Sequence, residues 1–305
     1  MHGLLLIDKP QGLTSHDVVR QVRRIFSTRK VGHAGTLDPM ATGVLVVAVG
    51  DATKILQFLF LDDKSYRATF RLGITTDTFD AQGRVLSEKP TPPLDVEFVN
   101  HICTPFRGMI DQQPPMFSAL KRDGVPLYKL ARQGIEVERE SRKIFIQRLA
   151  VVAVDSPFVT IDVDCSKGTY IRSLVHDLGE AIGCGAHLTA LCRLRSGRFM
   201  LDQCYQLDDL KQMDNPAGAL LSYSAALVDL PAAELDQAAL QALTFGIPPQ
   251  ESQCFLAQPL TEGERVRLLS HDKLVAVADY QPSRHSEKRG DFRLIRVFQD
   301  QLIGD

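Results

Sequence analysis

The sequence lacks the patterns that mark nucleotide, nicotinamide or metal chemistry. Its 305 residues contain no G-x-x-x-x-G-K-[ST], no G-x-G-x-x-G, no H-E-x-x-H and no G-x-S-x-G, the spacings that cradle phosphates, hold a hydrolytic zinc or present a serine nucleophile. Asp77 to Gly83 has the look of an acidic loop but fails the alternating ligand spacing of a calcium-binding loop. The six cysteines (103, 165, 184, 192, 204 and 254) form no C-x-x-C pair, and reduced thiols in a cytoplasmic protein are the expectation. Cys184, His187 and Cys192 lie close in sequence but make an incomplete zinc set, so no metal is expected. No apolar run reaches the length of a membrane span. A formal net charge of −2 means that a polyanionic partner would have to be met by a local basic patch.

What is present centres on Gly32-His33-Ala34-Gly35-Thr36-Leu37-Asp38-Pro39-Met40-Ala41-Thr42-Gly43 and the apolar run from Val44 to Val49. The run reads as a buried strand. The preceding loop carries one imidazole and one carboxylate among small residues. Pro39 steers Asp38 out of helical geometry, and the glycines leave room for a bulky ligand beside the backbone. A plain turn aspartate before proline accounts for the same residues.

The remainder alternates short strands and helices. Leu4 to Ile7 reads as a strand, and Thr14 with Asp17 as a helix start resembling a capping box. Lys9 to Lys30 holds six Lys or Arg against Asp17 alone, a strip suited to a polyanion although equally a solvated helix face. Ile55 to Leu61 reads as a short helix, and Tyr66 to Leu72 as a half-buried strand. Residues 121–143 carry seven basic and four acidic side chains near Phe117 and Tyr128, a plausible grip for nucleic acid, with a short helix bounded by Gly124 and Gly134. Val159 to Cys165 reads as another strand. A helix follows from about Ile171, which puts Arg172 in its first turn, where the helix dipole disfavours a cation and calls for a carboxylate partner. Residues 190–199 read as extended and basic. Residues 201–236 hold seven acids against Lys211, a segment expected to lie away from any polyanion. Past Pro231, strand-like runs at 265–269, 273–278 and 292–298 suggest a small β-rich module with a basic cluster at Arg284, Lys288, Arg289, Arg293 and Arg296.

Four blocks, in one order, resemble the TruB family of tRNA pseudouridine-55 synthases: Asp8-Lys9-Pro10-Gln11-Gly12, Gly32 to Pro39, Ser118-Ala119-Leu120-Lys121 with Tyr128, and Ser166 to Leu174. They span residues 8–174, somewhat more than half of the chain. The resemblance implies an α/β (α+β) catalytic domain over residues 1–231, built on a long mixed, largely antiparallel sheet, with an RNA-gripping insertion at about 112–143. A small PUA-like β-rich RNA-binding domain follows at 232–305. It implies isomerisation of uridine 55 in the T arm of tRNA, in which uracil leaves its ribose at N1, rotates and rejoins through C5. Such a reaction conserves atoms, which fits the missing cofactor motifs.

By the same resemblance Asp38 matches the catalytic aspartate, acting as nucleophile at C1′ or C6 or stabilising a glycal-type intermediate. Arg172 matches the arginine that pairs with it, ideally in bidentate fashion. Tyr66 matches the tyrosine lying against the target base and assisting proton transfer, and Tyr170 and Leu191 match residues shaping the uracil pocket. His33 matches the histidine that enters the RNA loop as the nucleotide leaves its stack. Lys9 and Pro10 match a motif supporting the active-site loop. The partner would be the tRNA T stem-loop, met by a cytoplasmic monomer without cofactor, metal or membrane. Two other classes fit less well. An RNA-binding or tRNA-folding protein on this scaffold has no use for an ionised pocket carboxylate, and a retaining glycosidase would need a second acid beside Asp38.

Overall fold

The computed structural model describes residues 1–59, 63–282 and 290–302. The loop that carries Asp38 leads into one of several strands buried along nearly their whole length. β1 (Gly3–Lys9) pairs antiparallel with β3 (Thr42–Val49), and both are buried nearly throughout. Alternate residues serve two different cores. Leu5, Ile7, Leu45 and Val47 enter one, with Val18 and Val22 of helix α1 (Ser15–Ile25), while Leu4, Leu6, Val44 and Val46 enter another. A strand covered on both faces needs no polar alternation, which is why this stretch reads as a continuous apolar run. α1 starts where Thr14 and Asp17 form a reciprocal capping box, as the sequence spacing predicts.

β2 (Val31–Ala34) lies on β3. A 3-10 segment, Gly50–Ile55, then leads into the short helix α2 (Leu56–Leu59); of the helix expected over 55–61, Ile55 closes the 3-10 segment and 56–59 are α-helical, while positions 60 and 61 lie outside the described residues. β4 (Lys64–Leu72) precedes the hairpin of β5 (Ile74–Thr76) and β6 (Val85–Glu88), helix α3 (Val96–Cys103) and strand β7 (Gly108–Gln112). The insertion holds a two-residue-per-strand hairpin, β8 (Lys121–Arg122) with β9 (Val125–Pro126), and helix α4 (Leu127–Arg132). β10 (Arg142–Asp155), β11 (Phe158–Cys165), helix α5 (Ile171–Ile182), β12 (Ala186–Ser196) and β13 (Phe199–Met200) complete the large sheet. α5 ends on Gly183 in the left-handed region, where glycine carries no steric cost.

The nine-stranded sheet runs β1-β3-β12-β4-β11-β10-β7, with β2 on β3 and β13 on β12. All its pairings are antiparallel except β3 with β12. This mixed, largely antiparallel sheet is the one expected. Strands distant in sequence become neighbours at its centre.

Helices α6 (Leu207–Gln212) and α7 (Tyr223–Ala226) lie in the acidic segment. α6 packs on α1, with Leu207 and Leu210 sharing the core of Val18 and Val22. The acidic segment thus adjoins the helix of the basic strip, because its apolar residues decide where it docks. A second sheet of order β15-β14-β16-β17-β18 then forms from β14 (Ala232–Leu235), β15 (Cys254–Leu256), β16 (Arg265–Ser270), β17 (Lys273–Tyr280) and β18 (Phe292–Val297), with helices α8 (Gln237–Thr244) and α9 (Gln299–Leu302). Leu269, Leu274, Val277 and Phe298 share one core with Leu4, Leu6, Val44 and Val46, so this sheet docks on the outer face of β1 and β3. Arg293 of the predicted basic cluster is ion-paired with Asp279 at 2.6 Å, whereas Arg284, Lys288 and Arg289 lie outside the described residues.

Candidate active site

Asp38 sits in a loop pinned from several directions. Its own carbonyl accepts the Ala41 N–H at 3.1 Å across Pro39 and Met40, a β-turn with proline at the favoured position. The plain turn-aspartate reading is therefore correct as far as the backbone goes. Leu37, Met40 and Ala41 are buried around it, while the Asp38 side chain keeps 35% of its exposure. The Ser15 hydroxyl, from the first residue of α1, bonds the Leu37 N–H (2.8 Å) and carbonyl (3.1 Å). Rigid backbone surrounds a carboxylate that still reaches solvent.

Lys9 supports the loop from below. Its side chain is fully buried, and its Nζ donates to the carbonyls of Pro10 (3.0 Å), Leu13 (2.6 Å) and, more loosely, Pro39 (3.4 Å). Pro10 is thus one corner of this tripod. Burial pushes the Lys9 ammonium down to about 8, and the nearby Asp38 charge counteracts only part of that. Lys9 accordingly leaves the basic strip proposed for phosphate contact. Arg20, Arg24, Arg29 and Lys30 of that strip are exposed, with Arg20 paired to Asp17 and Lys30 to Asp51.

Arg172 meets the carboxylate that its position demands. Its Nε lies 2.9 Å from Asp38 Oδ2. The expected bidentate fork is absent because the other nitrogens are engaged elsewhere. Nη1 donates to the Thr78 carbonyl at 3.1 Å and lies 3.6 Å from Asp80 Oδ2, and Nη2 donates to the Phe117 carbonyl at 2.9 Å. One guanidinium, 7% exposed, thereby ties together the Asp38 loop, the loop between β5 and β6, the insertion and α5. Two anions oppose the unfavourable helix dipole.

Asp80 is the residue the sequence reading missed. It is 4% exposed, and its Oδ1 accepts from the Thr78 hydroxyl (2.7 Å) and the Gln82 N–H (3.0 Å). The acidic loop at 77–83 thus aims a second carboxylate at Arg172. Gln112 is a second omission: its buried amide donates to the Tyr170 carbonyl (3.0 Å) and accepts from the Tyr170 N–H (2.8 Å), fixing the residue that opens α5.

Tyr66 and Tyr170 are both half-buried, and burial raises both phenols above their ordinary value. The Asp38 charge raises each further, which places both hydroxyls in its field. Leu191, 8% exposed, lies on β12 opposite Ala68, and its carbonyl faces the Thr42 hydroxyl at 3.4 Å. Five expected residues (Asp38, Arg172, Tyr66, Tyr170 and Leu191) thus gather where the Asp38 loop meets β4, β12 and the start of α5. His33 stands on β2 opposite Val47, with Nδ1 buried and unpartnered among the described residues. Burial, then Arg193 and His16, lower it, so its ring is neutral.

Among the described residues no group of three His, Cys, Asp or Glu side chains is placed to hold a metal ion, and no helix is long and apolar enough to cross a membrane.

Comparison with known proteins gives a consistent picture. Residues 23–171 match a model of the TruB family pseudouridylate synthase N-terminal domain, and residues 172–223 match a model of the tRNA pseudouridylate synthase B C-terminal domain. The chain is 50% identical over 303 residues to the tRNA pseudouridine synthase B of Syntrophotalea carbinolica, covering 98% of this chain and 99% of that one. It is 48% identical over 303 residues to the protein of the same name from Geobacter sulfurreducens, covering 98% and 100%. Among solved structures, a chain of a Cbf5-Nop10-Gar1 complex superposes with a TM-score of 0.76 at 27% identity, covering 98% of this chain and 86% of that one. A chain of an H/ACA RNP bound to a substrate RNA containing 2′-deoxyuridine gives 0.75 at 26% identity, with the same coverage.

Proposed function

The chain belongs to the TruB family of pseudouridylate synthases and is a tRNA pseudouridine synthase, and we propose that its target is uridine 55 of the T arm, with Asp38 as the nucleophile. The observation that carries this reading is the Asp38–Arg172 contact at 2.9 Å, with Tyr66 and Tyr170 in the field of the same carboxylate. A carboxylate gripped by a guanidinium is held in one orientation, as attack on an extruded nucleoside requires.

Asp38 accepts the ribosyl group or the uracil ring as the N1–C1′ bond breaks. The ring turns, C5 joins C1′, the C5 proton departs and N1 gains one. Leu191 and Tyr170 bound the uracil pocket, and Tyr66 lies against the base. His33, flat and uncharged, fills the stack that the nucleotide leaves, offsetting an unstacking cost of a few kcal/mol. Lys9 and Pro10 hold the loop in register. Exposed Arg24 and Arg29, with Lys121, Arg122, Lys129 and Arg132 on the insertion, contact backbone phosphates of the T stem-loop. In this reading residues 1–231 are the catalytic domain and 232–305 a PUA-like RNA-binding module of a cytoplasmic monomer that needs no cofactor.

The test is incubation with one unmodified tRNA followed by mapping of pseudouridine at each position, for the native chain and for Asp38→Asn. Product at position 55 with the native chain, none with the variant and near-native tRNA binding by both is the expected result. Turnover by the variant would remove Asp38 from its role; product at another position would refute the T-arm assignment.

A further inference from the structure

Arg193 is a buried cation without a counter-charge, set against the catalytic loop. It is 1% exposed, and among the described residues it makes no ion pair. Its Nε donates to the Val44 carbonyl at 2.7 Å and its Nη2 to the Gly35 carbonyl at 3.1 Å, so one guanidinium closes the two ends of the segment that carries Asp38. Burying a charge on carbonyl partners alone is costly, and a neutral residue could close a loop without that cost. The neighbours suggest what the charge is for. Arg193 is the direct cross-strand partner of Tyr66 in the β4–β12 pair, a register that brings side chains on one face into contact range. The guanidinium favours ionisation of the Tyr66 hydroxyl, against the dominant effect of burial. The other ionisable groups facing that phenol are Cys165 of β11 and Asp38 of the loop. Cys165 is pushed up to about 12 by burial and is neutral, and Asp38 opposes a second anion. Among the described residues, Arg193 is the cation whose charge favours ionisation of the Tyr66 hydroxyl.

We propose that Arg193 is a positioning residue that clamps both ends of the Asp38 loop and presents its charge to the Tyr66 hydroxyl, so that Tyr66 relays the proton from C5 to N1 through a transient phenolate. The inference rests on the assignment of Tyr66 and Asp38 above. Once C5 has joined C1′, the Tyr66 O–H gives its proton to N1, and the phenolate so formed takes the proton from C5. The C5–H electron pair restores the ring double bond. No net charge is created, and the hydroxyl is regenerated. Arg193 stabilises the phenolate only while it exists, which is where a preorganised charge is most effective.

The experiment measures single-turnover pseudouridine formation across pH by the native chain, Arg193→Gln and Arg193→Lys, using tRNA with either hydrogen or deuterium at C5 of the target uridine. Arg193→Gln should bind tRNA as the native chain does and react about 100-fold more slowly, the scale of losing one preorganised donor. Its C5-deuterium isotope effect should exceed the native value, and its rate should climb with pH as hydroxide assists phenolate formation. Arg193→Lys keeps the charge without the fork and should recover part of the rate. A purely structural role predicts a loss that is flat with pH, an unchanged isotope effect and a lowered melting temperature; that outcome overturns the proposal. If Arg193→Gln does not fold, an Arg193→Lys variant that loses rate equally at every pH with the native isotope effect overturns it equally. Absence of product from the native chain would instead defeat the functional reading itself, and a Tyr66→Phe variant with native rate would defeat the role of Tyr66.

Discussion

Replacing Asp80 with Asn isolates the electrostatics behind the Asp38–Arg172 pair. The substitution is nearly isosteric and keeps the Oδ1 bonds to the Thr78 hydroxyl and the Gln82 N–H, at 2.7 and 3.0 Å, so the local turn persists. Only the group facing Arg172 Nη1 changes, from an anion at 3.6 Å to an amide. At an effective dielectric of about 20, unit charges at that separation attract by roughly 5 kcal/mol before desolvation is subtracted. Arg172 keeps Asp38 and two carbonyls, so the net loss should resemble that of one charge-assisted hydrogen bond, about 1.5–3 kcal/mol of stability. With one anion gone, Arg172 is drawn toward the remaining carboxylate and Asp38 loses its set orientation. A displacement of that kind should lower the single-turnover rate about 10- to 100-fold, or roughly 1.4–2.8 kcal/mol of barrier. Binding of tRNA should hardly change, since residue 80 is 4% exposed. The assay is a double-mutant cycle of Asp80→Asn with Arg172→Lys, read in rate and in chemical denaturation. A lysine cannot reach Asp38, Thr78 and Phe117 together, so the two losses should overlap, with a coupling of about 1 kcal/mol or more. Additive losses, or a native rate in Asp80→Asn, would show that Asp80 does not act through Arg172.

Further expectations follow from the same contacts. Because the Lys9 ammonium is lowered to about 8 from 10.5, the unfolded chain holds that proton more tightly between those pH values, and the native chain gains stability as pH rises through the window, by up to about 3 kcal/mol. Denaturation of the native chain and Lys9→Met at pH 7 and pH 10 should show the native chain gaining relative to the variant; a relative loss would mean that Lys9 is held by a carboxylate. Gly43→Ala should leave the chain largely unfolded in circular dichroism, because Gly43 has φ +98° and a methyl there would sit 2.3 Å from the Arg193 carbonyl oxygen; a native melting temperature would exclude the parallel β3–β12 contact. Binding of tRNA should weaken steeply with salt, and the double substitution Arg122→Ala with Lys129→Ala should reduce the logarithmic slope by about 1–2 if both touch phosphate. An unchanged slope would remove the insertion from the interface.

Periodicity exposed most of the scaffold because each strand and helix buries a face that its sequence must encode. The two-sided run at Val44–Val49, the alternation at Val159–Cys165 and the Thr14–Asp17 cap all formed where their spacing puts them. The insertion was read less well. A helix bounded by Gly124 and Gly134 left out the hairpin in which Asp123 and Gly124 both take positive φ (51° and 81°), although Asp-Gly between strand residues is a turn signal in its own right. The helix itself is confined to Leu127–Arg132, since residues 125 and 126 are spent on the second strand.

The site divides along a sharper line, between charges that violate a local rule and charges that do not. Arg172 could be picked out because a cation in the first turn of a helix opposes the dipole, and the structure answers with Asp38 at 2.9 Å and Asp80 at 3.6 Å. Asp80 violates nothing locally: its turn bonds to Thr78 and Gln82 are what any loop aspartate makes. Arg193 sits in a basic, extended segment where another arginine is unremarked. Lys9 reads both as a cation of the basic strip and, by the resemblance, as support for the loop, and three backbone carbonyls enclose it. Asp80 and Arg193 become intelligible only in the folded order, with β12 between β3 and β4 and the start of α5 against the 77–83 loop, an order that sequence periodicity does not encode, since it reports which face a residue takes and not which strand lies beside it. A buried charge such as Arg193, whose partners come from 149 and 158 positions away, is therefore invisible to local rules. The places where the fold spends stability on such charges, around Asp38, are where substitutions should affect turnover most and RNA binding least.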